Sequence, residues 1–99
     1  MDFDKTLAYY ENWKGIEYLG EPIPAMADRV RRWLAQGQEV RIFTARASHG
    51  EPQITYIQDW CEKHLGQRLA VTCCKDFSMI ALYDDLAHRV EANTGKVLA

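Results

Sequence analysis

Three short apolar runs alternate with two stretches of helical periodicity, and this order constrains the fold more than any other feature of the chain. The runs are 39–44, 69–74 and 79–83, the first helix is predicted over 24–36, and the second begins at Pro52. Strands and helices that alternate at this spacing form βαβ units, whose crossovers are right-handed and whose strands run parallel. The pattern therefore predicts an α/β fold with a mainly parallel sheet.

Both predicted helices have recognisable ends. Pro24 suits the first position of a helix, and Gly37 suits the residue just after one. Pro52 and Gly66 flank the second apolar face in the same way. Residues 7–21 have no clean period and predict an irregular loop, with a short hairpin as the alternative.

Composition and charge narrow the class of protein. The 99 residues, of which 47% are hydrophobic and 26% charged, predict a single globular domain, 1–99, with one modest core. A net charge of -2 gives no attraction to nucleic acid or to an anionic membrane. We expect neither a membrane span nor a secretory signal, because no long apolar run or basic leader is present. The turn signal at 93–95 leaves a weak hairpin or a short helix open for the tail.

The cysteines are Cys61, Cys73 and Cys74. An odd number with two adjacent members does not suit a disulfide framework, so a reducing compartment, the cytoplasm, is favoured. Because the Cys73-Cys74 pair lies inside an apolar run, we expect it to belong to the buried core. A redox or metal motif is the alternative.

Polar side chains end the apolar runs. In parallel α/β sheets the carboxyl ends of the strands share one edge, and ligands bind outside it. Two carboxylates that lie two residues apart on an extended segment point to the same side, and such a pair favours a hard cation such as Mg²⁺ between them. The alternative is an acidic N-terminal tail without a role. The residues expected at the rim are Asp2, Asp4, Thr44, Lys75, Asp84 and Asp85.

With these positions in place, the chain resembles the haloacid dehalogenase (HAD) superfamily of phosphotransferases. The segment Asp2-Phe3-Asp4-Lys5-Thr6 is similar to its first motif, DxDxT. Thr44 is similar to the second motif, Lys75 to the third, and the pair Asp84-Asp85 to the acidic fourth. No single motif is very specific, but the combination of four motifs in the right order, each behind an apolar run, is specific.

The resemblance implies a role for each residue. Asp2 would attack phosphorus and form an aspartyl-phosphate, while Asp4 would protonate the leaving oxygen and then deprotonate the hydrolytic water. Thr44 and Lys75 would bind the phosphoryl oxygens. Mg²⁺ would be held by Asp2, the backbone carbonyl of Asp4, and either Asp84 directly or Asp85 through water. Taken singly, Thr44 and Lys75 would be read as a strand-end cap and a surface charge.

Two positions depart from the family. Lys5 stands where glycine is common, and only Met1 precedes Asp2 where the family has an apolar strand. We therefore predict a Rossmann-like three-layer sandwich whose first strand is truncated. The gap would be closed by direct pairing of 39–44 with 79–83, or by another copy of the chain in a homo-oligomer.

The gaps between the motifs are too short for a cap domain, so the resemblance implies a capless member with an open site. The loop 7–21 would cover it at most. Its aromatic residues would either form a stacking wall for a base or sugar or pack on their own domain. A second group, of three polar residues that follow Thr44 closely, could contact the leaving group of the substrate. These residues are Tyr9, Tyr10 and Trp13 in the loop, and Arg46, Ser48 and His49.

The function predicted is Mg²⁺-dependent hydrolysis of a phosphomonoester, on a phosphorylated small molecule or nucleotide. One alternative is a catalytically impaired interaction module, because the first strand is short. The other is a phosphatase of nucleotides or nucleic-acid ends, since a capless site admits large substrates. The acidic balance of the chain argues against strong nucleic-acid binding.

Overall fold

The computed structural model describes residues 1–98, which form a mixed α/β fold. Two α-helices lie beside a parallel pair of short strands, and a 3₁₀ helix follows the first strand. The α/β class and the parallel pairing are confirmed. The elements are α1 (Pro24–Ala35), β1 (Ile42–Phe43), the 3₁₀ helix (Ala45–His49), α2 (Gln53–Leu65) and β2 (Val71–Thr72).

The two helices begin and end where local signals place them. Proline occupies the first turn of α1, which ends one residue earlier than predicted, before Gln36 and a left-handed Gly37 with a φ of 79°. Helix α2 follows Pro52 and ends at Gly66, whose φ of 84° is also left-handed. Glycine adopts this conformation without the steric cost that a Cβ brings, so it ends a helix readily.

The core lies between the two helices and β1. Phe3 has no exposed surface and meets the ring of Trp60 edge-on, with 4.9 Å between ring centroids. Met1 is also buried, whereas Asp2 and Asp4 keep partial exposure. This alternation is the period of an extended chain, so burial of Phe3 presents the two carboxylates away from the core.

The strands are shorter than predicted. The run 39–44 contributes only Ile42–Phe43 to the sheet, 69–74 contributes only Val71–Thr72, and 79–83 forms no strand. A strand can form hydrogen bonds only along the length of the segment beside it, and the N-terminal segment beside these runs is very short.

Met1 and Asp2 lie between β1 and Tyr83. The amide of Phe43 donates to the carbonyl of Met1 at 2.8 Å, and the amide of Asp2 donates to the carbonyl of Tyr83 at 2.8 Å. Direct pairing of 39–44 with 79–83 therefore does not occur within residues 1–98. Met1 and Asp2 thus lie beside the two-stranded sheet, with one backbone hydrogen bond to β1 and one to Tyr83.

A cavity of about 230 Å³ lies beside Met1, which is one of its lining residues. It lies between residues 38–43 and 76–83, and Trp33, Val40 and Ile80 are among its apolar lining. The amino group of Met1 donates to the carbonyl of Arg41 at 3.0 Å, and burial lowers the pKa of that amino group. Burial thus disfavours the charged form of this amino group.

The prediction that Cys73 and Cys74 are buried is wrong, because both are exposed. Strand β2 ends at Thr72, and the residues that follow leave the sheet before any helix covers them. Cys61 on α2 is buried, and this burial raises the pKa of its thiol to about 12. All three cysteines are free thiols.

The irregular segments are closed by backbone bridges. Ala8 pairs antiparallel with Pro22, so the loop 9–21 leaves and rejoins the fold at one place. Val90 pairs antiparallel with Val97, which makes the tail a hairpin and not a helix. Neither α1 nor α2, the helices of the described residues, has the length and apolarity needed to cross a membrane.

Candidate metal and phosphate site

A tight turn after Phe3 sets the first candidate residues. The carbonyl of Phe3 accepts from the amides of Leu7 and Ala8, both at 2.9 Å, and the amide of Lys5 donates to the carbonyl of Ala8 at 2.8 Å. Lys5 has a φ of 71°, a left-handed conformation that costs a non-glycine residue about 1 kcal/mol. The turn is thus formed with lysine at its left-handed position, and Thr6 folds back toward Asp2.

Three carboxylates meet beside this turn. One oxygen from each of Asp2, Asp84 and Asp85 lies within 4.8 Å of the others. The hydroxyl of Thr6 lies 3.0 Å from Oδ2 of Asp2 and 3.2 Å from Oδ1 of Asp85, so its single proton can be donated to either. The backbone bond from Asp2 to Tyr83 holds the two chain segments in register.

The donor set fits Mg²⁺. This ion binds oxygen at about 2.0–2.1 Å in octahedral geometry, so two ligand oxygens lie at most about 4.2 Å apart. The 4.8 Å limit of the cluster requires only small side-chain rotations to reach that spacing. Hard carboxylate oxygens also suit Mg²⁺ better than they suit softer metals.

The electrostatics of Asp2 are those of a crowded acid. Burial is the main cause that raises the pKa of Asp2, from 3.8 to about 6. A hydrogen bond with Asp85 and the charge of Asp84 act in the same direction, and the hydrogen bond from Thr6 opposes them. A cation in the cluster would favour the charged carboxylate again.

Asp4 faces a different partner. Its two oxygens accept from Nε and Nη2 of Arg46, at 2.7 and 3.0 Å. The Arg46 side chain is 7% exposed and that of Asp4 25%, so the pair is largely shielded from water. The guanidinium also faces the ring of Trp13, with Cζ 5.1 Å from its centroid.

Thr44 lies where β1 leads into the 3₁₀ helix. Its amide donates to the carbonyl of Thr72 at 2.9 Å, and its hydroxyl oxygen accepts from the amide of Arg46 at 3.2 Å. The hydroxyl therefore acts as a helix cap and keeps its own proton for another acceptor. Thr44 is buried, at the same end of β1 as Arg46.

Lys75 is not brought to the acidic cluster by any contact of residues 1–98. It is exposed, three residues beyond the end of β2. The next residue, Asp76, pairs with Arg41 at the amino end of β1. The chain has thus already turned back along the sheet, away from the edge where Thr44 lies.

The other polar and aromatic candidates divide in the same way. Trp13 contacts a site residue, Arg46, whereas the hydroxyl of Tyr9 is bound to Glu11 at 2.8 Å. Tyr10 lies under the ammonium of Lys5, 5.8 Å from it. Ser48 donates to the carbonyl of Ala45 at 2.7 Å within the 3₁₀ helix, and His49 is exposed. The three aromatic residues therefore do not share one partner.

Sequence reasoning did not find two of these contacts. The hydrogen bond from Thr6 to Asp85 joins residues 79 positions apart. The clamp of Arg46 on Asp4 spans 42 positions. The usable signal was weak: a threonine two residues after Asp4, and an arginine two residues after Thr44.

Comparison with protein-family models, with curated proteins and with solved structures finds no match to this chain.

Proposed function

We propose that the chain is a Mg²⁺-dependent phosphomonoester hydrolase of the HAD type, which acts through an aspartyl-phosphate on a phosphorylated small molecule or nucleotide. The observation that carries this proposal is the convergence of Asp2, Asp84 and Asp85 within 4.8 Å, with Asp2 half-buried. A cation-binding cluster that includes a shielded carboxylate offers both the charge screen and the nucleophile that phosphoryl transfer needs.

Asp2 has two oxygens for two tasks. One oxygen can hold the cation while the other attacks phosphorus, and Thr6 orients the group by its hydrogen bond to Oδ2. Bound Mg²⁺ would screen the repulsion between this carboxylate and the phosphate. The new bond is Oδ–P, and the bond that breaks joins phosphorus to the leaving oxygen.

Asp4 would pass a proton to the leaving oxygen and later accept one from the hydrolytic water. Both of its oxygens accept from Arg46, so at least one of these hydrogen bonds must lengthen before a proton is transferred. The free proton of the Thr44 hydroxyl would be donated to a phosphoryl oxygen. Lys75 would reach the phosphate only if the exposed turn at 73–78 shifts.

The fold that accompanies this function is a Rossmann-like sandwich with a short central strand. The order β2, β1, Met1–Asp2, Tyr83 supports it, since a parallel sheet in this order places the candidate residues along one edge. The helices α1 and α2 would together form one outer layer, since Arg31 of α1 donates to the carbonyl of His64 on α2.

Hydrolysis of p-nitrophenyl phosphate tests the function. The protein is expected to release p-nitrophenol with Mg²⁺ and to stop when EDTA is added. Asp28→Asn, which changes an exposed aspartate on α1, is the matched control for Asp2→Asn and is expected to keep the activity. Equal rates with and without Mg²⁺ would contradict the proposal.

The second candidate is a non-catalytic interaction module, and one observation favours it. Apolar side chains of the segment 77–86 are almost fully exposed, among them Phe77, Ile80 and Leu86. A second copy of the chain would cover them, in line with the expected homo-oligomer. Sedimentation of the protein together with the phosphatase assay separates the two: a dimer without Mg²⁺-dependent turnover favours the module.

A further inference from the structure

The guanidinium of Arg46 has one edge that the proposed reaction leaves unused. Nε and Nη2 are taken by Asp4, but Nη1 is buried and has no acceptor. Among the buried side-chain nitrogen and oxygen atoms of residues 1–98, Nη1 of Arg46 and Oε1 of Gln53 are the two without a partner. An unmet buried donor is costly, so proteins rarely keep one unless an acceptor is supplied from elsewhere.

The position of this edge is set by Asp4. A guanidinium is planar and rigid, so two bonds to one carboxylate define where the third nitrogen lies. Asp4 is also the residue proposed to meet the leaving oxygen. An acceptor at Nη1 would therefore belong to the leaving-group side of the substrate, beyond the phosphoryl group.

Trp13 covers the guanidinium from one face. Trp13 is 55% exposed, and its ring lies against the guanidinium, with Cζ 5.1 Å from the ring centroid. The loop that carries it is held elsewhere: the amide of Tyr9 donates to the carbonyl of Glu21, and Nε2 of Gln53 donates to the carbonyl of Ile16. A Cβ on Gly20 would lie 1.8 Å from the Tyr9 carbonyl, so the base of the loop is closely packed. None of these anchors involves the Trp13 side chain.

We propose that Arg46 determines specificity by donating a hydrogen bond from Nη1 to an oxyanion on the leaving group of the substrate, once Trp13 has moved off the guanidinium. This rests on the proposed function for the place of the phosphoryl group. An oxyanion is the favoured acceptor, because hydrogen bonds from a guanidinium to charged oxygens are about twice as strong as neutral ones. A carboxylate and a second phosphate share this chemistry.

Three phosphate esters of similar size test the proposal. Ethyl phosphate has no second oxyanion, phosphoglycolate has a carboxylate, and ethylene glycol bisphosphate has a second phosphate. Wild type is expected to prefer one or both of the last two by about 10- to 100-fold in kcat/KM. Arg46→Gln is expected to lower all rates, since it frees Asp4, but above all to bring the ratio near one.

The ratio is the readout because a loss of fold or of Asp4 orientation lowers all three rates together. Gln53→Met removes the other unpartnered atom and one loop anchor, and it is expected to keep the preference. Arg46→Lys keeps the charge without the fork and replaces Arg46→Gln if that variant does not fold; its ratio is also expected to fall. A preference kept in the Arg46 variants, or absent from wild type, would overturn the proposal.

Binding separates this inference from the proposed function. On an Asp2→Asn background, calorimetry with phosphoglycolate and ethyl phosphate measures recognition without turnover. Tighter binding of phosphoglycolate that is lost on adding Arg46→Gln supports the role of Arg46, even if wild type hydrolyses neither ester and the proposed function fails. Equal binding of the two esters overturns the role of Arg46, whatever the activity.

Discussion

The amide of Asp2 donates a 2.8 Å hydrogen bond to the carbonyl of Tyr83. This one backbone contact joins the N-terminal segment to the residue directly before Asp84 and Asp85. The three carboxylates thus meet because this hydrogen bond joins two segments that are distant in the sequence. Small changes at this junction should alter the spacing of the three acidic groups.

Asp2→Asn is expected to abolish turnover, because an amide cannot attack phosphorus, while the helical circular dichroism stays nearly unchanged. Asp4→Asn should also be severe, since the leaving oxygen loses its proton donor, but some phosphoenzyme is expected to accumulate. Rates with p-nitrophenyl phosphate and trapping of the phosphoenzyme measure the two effects. Full activity of Asp2→Asn would remove Asp2 from its role.

The two acids of the Asp84-Asp85 pair are expected to differ. Asp84→Ala should weaken Mg²⁺ binding more than Asp85→Ala, if Asp84 is the direct ligand and Asp85 acts through water. Asp84 is also the less exposed of the two. Calorimetric titration with Mg²⁺ decides the order, and the reverse result would show that the roles are exchanged.

The stability of the metal-free protein is expected to fall as the pH rises from about 4 to about 6. The folded state raises the pKa of Asp2 from 3.8 to about 6, so it holds a proton that the unfolded chain has released. Below pH 4 both states are protonated, and above pH 6 the full destabilisation of about 1–3 kcal/mol remains, after allowance for solvent screening.

Urea unfolding of wild type and Asp2→Asn across this range isolates the effect, because asparagine does not titrate. The variant should be the more stable protein at pH 7 without metal. Added Mg²⁺ should recover stability in wild type but much less in the variant, since a ligand that binds only the folded state stabilises it. If the free energy of unfolding depends on pH in the same way for both proteins, the pKa of Asp2 is not raised in the folded state.

An N-terminal extension of about five apolar, β-forming residues is expected to raise the melting temperature. It would fill the cavity beside Val40 and Ile80 and replace the buried amino group of Met1 by an amide. A gain of about 1 kcal/mol corresponds to roughly 4–8 °C in a domain of this size. The phosphatase rate should rise with it, as the sheet holds Asp2 more firmly.

A Gly/Ser extension of equal length is the control for that experiment, because it changes the terminus without apolar burial. Differential scanning calorimetry and the phosphatase assay are run on both. No difference between the two extensions would mean that the cavity does not accept a strand.

Short-range signals were sufficient for the ends of the helices, which follow from prolines and glycines within one or two residues of them. They left the tail open between a hairpin and a short helix, and the pairing of Val90 with Val97 decided for the hairpin, with Asn93 and Gly95 left-handed. The α/β class also followed, because the alternation of apolar runs with helical periods leaves few other folds.

Contacts between distant residues needed the tertiary structure. The burial of Cys73 and Cys74 was predicted wrongly, since a strand propensity does not reveal how far the neighbouring strand extends. The turn that carries Lys75 is directed by Asp76 and Arg41, 35 positions apart. The clamp of Arg46 on Asp4 depends on how the 3₁₀ helix meets the N-terminal turn. Residue type and local period therefore determined which groups are available, and the packing of separate segments decided which of them meet, because side-chain pairing depends on spatial distance and not on spacing along the chain.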